Sequence, residues 1–143
     1  MEIRQITPDY AVSPQIAPED IGAIAAAGFT TILCNRPDAE VPPDLQTGAI
    51  RAALEARGLR FVENAFNAQT LSLDHVEAQG RAIDDAEGPV LAYCASGNRS
   101  SIVWALSQAG RQPADALIAA GARHGYQLEG LRPQIEALAR RES

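Results

Sequence analysis

Nine consecutive residues, Tyr93-Cys94-Ala95-Ser96-Gly97-Asn98-Arg99-Ser100-Ser101, bring together a thiol, a glycine, a guanidinium and several hydroxyls. The apolar run Pro89-Val90-Leu91-Ala92 precedes them, and Ile102, Val103, Leu106 and Ala109 follow at helical spacing. The string therefore falls where a buried strand hands over to a helix. At such a junction the first amides of the helix have no intrahelical partner and carry partial positive charge, a ready anion site. Cys94 is the candidate nucleophile at the strand end. The amides of Ala95, Ser96, Gly97 and Asn98 are candidate substrate-binding donors, with Gly97 giving the loop the freedom to turn them inward. Arg99 adds a planar, permanently charged fork that holds an oxyanion through two parallel hydrogen bonds. A helix N-terminus beside an arginine also favours the ionised, nucleophilic form of a cysteine, and the Ser100 hydroxyl is placed to hydrogen-bond the sulfur.

The elements that position this string are legible in the glycines. Gly28, Gly58 and Gly88 recur every 30 residues, each at the end of a helix-like stretch and just before an apolar run. A glycine in the left-handed conformation is the common helix stop. The runs Phe29–Cys34, Leu59–Val62 and Pro89–Cys94 read as strands, and about 30 residues per strand-helix unit is the size of a βαβ unit with a right-handed crossover. Two short strands, Glu2–Thr7 and Tyr10–Ile16, extend the sheet edge. Helices are expected from Pro18 through Ala25, from Leu45 to Arg57, from Asp74 to Glu87 behind a Ser72 cap, and after Arg99 as far as Gly110. Ala114–His124, closed by Gly125, and Gln134–Arg141 complete the set. The reading is α/β: one domain over residues 1–143 with a mainly parallel central sheet flanked by helices.

Composition excludes several chemistries. The 143 residues include twelve arginines and no lysine, so Schiff-base and pyridoxal-phosphate catalysis and Walker-type phosphate loops are ruled out. Two cysteines and two histidines, without CxxC or HxxxH spacing, point to no metal site and no cofactor. A net charge of -6 and 5% aromatic residues disfavour nucleic acid as a partner. No apolar run approaches the roughly 20 residues of a membrane span, and the first residues lack a signal-peptide profile. A cytoplasmic location is expected, where both cysteines are reduced thiols.

The segments AAAGFTTILCNRPDAE and GPVLAYCASGNRSSIVWAL resemble the beta-lactamase-hydrolase-like, phosphatase-like domain family, over most of residues 1–110. The resemblance implies a dual-specificity-phosphatase-like fold in which the strands ending at Cys34 and Cys94 are neighbours. It implies Cys94 as nucleophile, Gly97 as loop glycine, Arg99 as anion-binding arginine and Ser100 as the hydroxyl after it. Members are variously phosphatases and rhodanese-like sulfurtransferases, often alongside sulfide and persulfide metabolism. Ala95 departs from the basic residue often found there, and Ala39 from a glycine.

Loop length separates these chemistries. Only Ala95, Ser96, Gly97 and Asn98 stand between Cys94 and Arg99, the rhodanese-like count and one fewer than in cysteine phosphatases. A phosphatase also gains from a general acid at the leaving oxygen. The segment Glu63–Thr70, where the resembling phosphatases carry an Asp, has none here, leaving Asp38 or Glu40 to serve from another loop. The expectation is therefore a sulfurtransferase moving sulfane sulfur from thiosulfate or a persulfide to a thiol acceptor through a Cys94 persulfide. The alternatives are a cysteine-based phosphatase acting through phosphocysteine, and a noncatalytic persulfide carrier or thiol sensor serving a sulfide- or persulfide-metabolising enzyme. In each catalytic case the substrate is a small anion: thiosulfate, a persulfide or a phosphate ester. Cys34 is either a resolving thiol for Cys94 or a small buried apolar residue. Arg36 either contacts the substrate anion or pairs with Asp38 or Glu40. His75 and His124 read as structural, and Trp104 as core.

Overall fold

Glycines with positive φ punctuate the chain much as their spacing suggests: Gly28 (96°) and Gly58 (74°) each close a helix and release the chain into a strand. Gly88 does not take this conformation. The helix before it stops at an extended Ala86, and Gly88 is small for a different reason: a Cβ there would come within 2.8 Å of the Thr30 side chain.

The computed structural model describes residues 2–142. Strands β1 (Arg4–Thr7) and β2 (Tyr10–Ser13) form a hairpin, and a 3₁₀ turn at Pro18–Asp20 leads into α1 (Ile21–Ala26). Then come β3 (Thr31–Cys34), α2 (Thr47–Glu55), β4 (Arg60–Glu63), α3 (Leu73–Asp85), β5 (Val90–Tyr93) and α4 (Asn98–Ser107). The chain continues with α5 (Ala114–Ala122) and α6 (Arg132–Glu142). The strands at Thr31–Cys34 and Val90–Tyr93 are shorter than their apolar runs, and β4 keeps the length of its run but lies one residue later. The five-stranded sheet runs β1-β2-β5-β3-β4, antiparallel only at the β1-β2 edge. The amino-terminal hairpin thus supplies more than an edge. β2 lies directly against β5, Ser13 in register with Tyr93, so the strand that delivers Cys94 has a parallel neighbour on both sides.

Strand alternation divides the core into two layers. Leu91 and Tyr93 point with Ile32 and Cys34 into a layer closed by Ile21 and Ile24 of α1 and by Ile50 and Leu54 of α2. Val90 and Ala92 point with Leu33 into the other, closed by Val76, Val103, Leu117 and Ile135 from α3 to α6. Helix α4 is buried on nearly every side, including Ser100 and Ser101, and Trp104 stacks on Tyr10 with ring centroids 5.8 Å apart. A helix wedged this way cannot rotate, and that fixes the direction of the loop preceding it. Ser72 takes the N-cap of α3, its N–H donating to His75 Nδ1 at 3.1 Å, in line with a structural His75. Among the described residues no helix is long and apolar enough to cross a membrane.

Candidate active site

Cys94 follows β5 immediately, and the next residues fold back over its sulfur. Gly97, at φ 93°, is the turning point; its N–H donates to Cys94 Sγ at 3.1 Å, and α4 begins at the following residue. A side chain here is barred twice, by the positive φ and because a Cβ would collide with the Tyr126 hydroxyl. The amides of Ala95, Ser96, Arg99 and Ser100 make no hydrogen bond among the described residues, so four donors between the thiol and the first turn of α4 remain available. Asn98, expected to contribute a fifth, instead gives its N–H to Ser96 Oγ at 3.3 Å. Helix α4 starts two residues earlier than its apolar spacing suggests, which sets Arg99 and Ser100 in its first turn.

Arg99 is anchored at one end of its fork. Nη1 donates to Glu40 Oε2 (2.9 Å) and to the Phe66 carbonyl (3.1 Å), and Nη2 to Glu40 Oε1 (2.7 Å). Its Nε has no hydrogen bond among the described residues; Glu40 foremost, and the nearby Cys94 sulfur after it, favour the charge of the guanidinium. Arg36 reaches the same carboxylate, Nε to Glu40 Oε1 at 3.1 Å, while its Nη1 donates to Gln15 Oε1 at 3.3 Å. Of the two sequence alternatives for Arg36, the structure shows the ion pair with Glu40, the carboxylate that also holds Arg99.

These contacts engage both candidates for a general acid. Arg99 foremost, and Arg36 to a lesser extent, hold the Glu40 carboxyl below the usual carboxylate range against the opposing effect of partial burial, so it stays ionised. Asp38 accepts the Thr47 N–H (2.8 Å) and hydroxyl (2.9 Å), tying up an unpaired amide at the start of α2. Its carboxylate is a helix-capping group.

The Ser100 hydroxyl corrects another expectation. Its Oγ is buried and makes no hydrogen bond, so the bond to sulfur is absent. The main-chain carbonyl of Ser100 is engaged instead, accepting from the Tyr10 hydroxyl at 2.8 Å. Burial pushes ionisation of the Tyr10 phenol far above its ordinary range, so it remains a donor. Tyr10 in turn accepts from Gln79 Nε2 (3.0 Å), and Gln79 Oε1 accepts from Asn35 (2.9 Å) and Asn64 (2.8 Å). This chain of buried amides ties the ends of β3 and β4 to the first turn of α4. Sequence reasoning missed it, since Asn and Gln scattered over separate segments carry no local signal; the one clue is that Asn35 and Asn64 each come directly after a strand.

Cys34 closes β3 in register with Tyr93 and faces the α1-α2 layer, whereas Cys94 lies near Tyr10, which belongs to the opposite layer. Adjacent strand ends therefore place the two sulfurs on different faces of the sheet. The Cys34 thiol donates to the Arg36 carbonyl at 3.2 Å, and burial pushes its ionisation up.

With this geometry in hand, comparisons with known proteins are specific. The profile of the family described as beta-lactamase hydrolase-like protein, phosphatase-like domain, matches residues 2–111. A beta-lactamase hydrolase-like protein of Xylella fastidiosa is 32% identical over 130 residues, covering 90% of this chain and 30% of the relative. The chain thus spans about a third of the length of the curated relatives it matches. A Neisseria meningitidis crystal structure described as a phosphatase candidate superposes with TM-score 0.82 at 33% identity, covering 96% of this chain and 99% of the other. Tk-PTP in its active form shares the fold at TM-score 0.76 and 19% identity, covering 97% of each chain.

Proposed function

This chain belongs to the beta-lactamase-hydrolase-like protein family as its phosphatase-like domain, and on that footing we propose that it is a cysteine-dependent phosphatase acting on phosphate monoesters. The observation that carries the reading is the set of unbonded amides at Ala95, Ser96, Arg99 and Ser100, together with the unbonded Nε of Arg99, in the loop that folds back over the Cys94 sulfur. Such donors match the equatorial oxygens of a transferring phosphoryl group, whose charge must be stabilised without reorganisation. The Cys94 thiolate attacks phosphorus, the P–O bond to the leaving group breaks, and phosphocysteine forms. Water then attacks the same phosphorus, releasing inorganic phosphate and regenerating the thiolate. With Asp38 and Glu40 both engaged elsewhere, the leaving oxygen departs unprotonated, which favours aryl over alkyl esters.

A second reading, rhodanese-like sulfur transfer, is favoured by the loop with only four residues between Cys94 and Arg99 and by the missing acid. There the thiolate attacks the outer sulfur of thiosulfate, sulfite leaves, and the Cys94 persulfide passes its sulfur to a thiol. No proton is needed at the leaving group. The family and its structural neighbours support phosphoryl transfer over the sulfur transfer that loop length suggests. Parallel assays with an aryl phosphate and with thiosulfate plus a thiol acceptor decide between them. Vanadate-sensitive phosphate release that exceeds sulfur transfer supports the phosphatase. The reverse order, with one sulfur added to Cys94 by intact mass, overturns it in favour of the sulfurtransferase, and a single stoichiometric loading without turnover identifies a carrier.

A further inference from the structure

One residue beyond the family-matched segment, Tyr126, reaches back to the loop together with Arg4 of β1, and their contact is with its main chain. The Tyr126 hydroxyl donates to the Ser96 carbonyl at 2.8 Å, and Arg4 Nη1 donates both to the Tyr126 oxygen (2.6 Å) and to the same carbonyl (3.2 Å). The Arg4 guanidinium also lies over the Tyr126 ring, 5.6 Å from its centroid. Tyr126 is buried and follows Gly125, which closes the helical turn after α5. One carbonyl thus receives two donors, one from each end of the chain.

In a planar trans peptide the C=O and the N–H point in opposite directions. The Ser96 carbonyl and the Gly97 N–H belong to a single peptide unit. Holding that carbonyl outward therefore aims the Gly97 N–H inward, onto the Cys94 sulfur at 3.1 Å. We infer that Arg4 and Tyr126 are positioning residues for the nucleophile, fixing the peptide whose N–H stabilises its thiolate. The inference rests on Cys94 being the nucleophile and is independent of which anion it attacks. It also gives the absence of a Gly97 side chain a second reason, since the space a Cβ needs is filled by the hydroxyl of the clamp.

The groups that bear on the sulfur are Arg99 of α4, held in turn by Glu40, and Tyr10 of β2, while the clamp acts through the loop from β1 and from the turn after α5. The test titrates the Cys94 thiolate by its ultraviolet absorbance, with Cys94→Ser as the blank, so that turnover is not required. Tyr126→Phe keeps the ring and removes the hydroxyl; Arg4→Gln removes the second donor. Each is expected to raise the titration midpoint, and the pair together by about one pH unit, as expected for losing a hydrogen bond to a charged acceptor. Arg123→Gln is the control, because Arg123 ties the same region to β1 through the Ile6 carbonyl (2.8 Å) without touching the loop. It should lower the melting temperature and leave the midpoint in place. An unmoved midpoint in Tyr126→Phe, or an equal shift in Arg123→Gln, overturns the inference. A shifted midpoint in a protein inactive on aryl phosphates sustains it while the phosphatase reading fails.

Discussion

Of two adjacent parallel strands, one ends at Cys34 and the other is followed directly by Cys94, and both cysteines are almost fully buried: Cys34 is 2% exposed and Cys94 1%. Burial therefore does not tell them apart; the direction of their hydrogen bonds does. Cys94 accepts a bond from an amide N–H, beside a guanidinium and at the start of a helix. Cys34 donates one to a carbonyl, in an apolar layer where burial disfavours its charge. The first surroundings present donors to the sulfur, and the second disfavour its charge. Strand alternation produces the contrast, since a one-residue offset in register exchanges the faces of a sheet.

The comparison breaks most decisively if Cys34 proves essential. Cys94→Ser should reduce turnover on the order of 10⁴-fold or more, as expected for a nucleophile acting in a preorganised site, whereas Cys34→Ala should retain nearly wild-type turnover. Steady-state kinetics on the two variants checks both halves. Next in size, Arg99→Lys keeps the charge but loses the fork, and should cost about 10²-fold in kcat with a melting temperature within a few degrees of wild type. An alkylating reagent near neutral pH should modify Cys94 alone, with Cys34 labelled only after denaturation; peptide mass mapping reads this directly. Cys34→Ala should cost about 1 kcal/mol of stability, measured by urea unfolding, because a well-packed sulfur leaves a small cavity.

A smaller effect concerns the anchor of Arg99. Glu40 is held below the ordinary carboxylate range in the folded state, so its contribution to stability is complete above that range and disappears as pH falls through the lowered folded-state value. Urea midpoints should decline on acidification below about pH 5, and Glu40→Gln should flatten that part of the profile. An unchanged profile removes Glu40 from the account of how Arg99 is held.

The candidate loop is largely legible in the amino-acid sequence. Cys94, Gly97 and Arg99 lie within six residues and their placement follows from local features: a strand end, a left-handed turn and a helix start. The parallel sheet is equally legible, because glycine stops and β-branched runs are local signals. The helix-capping role of Asp38, the engagement of Glu40 by two arginines and the unbonded Ser100 hydroxyl are not. Each depends on the surroundings that other segments provide, such as Thr47 for Asp38 and Arg99 for Glu40. The network of Tyr10, Asn35, Asn64 and Gln79 is invisible in the sequence for the same reason.

What the sequence determined alone was the chemistry available. It has twelve arginines, no lysine and two cysteines, one of them in a string that can only be a loop between strand and helix. Backbone conformation and unpaired helix amides are set by neighbouring residues, and these survive as local patterns. Tertiary structure decided how that chemistry is aimed: which face each sulfur takes, which end of Arg99 is left open, and what fixes the Ser96 carbonyl. Those are contacts between residues as far apart as Arg4 and Tyr126, and a hydrogen bond exists only where the fold brings donor and acceptor within about 3 Å.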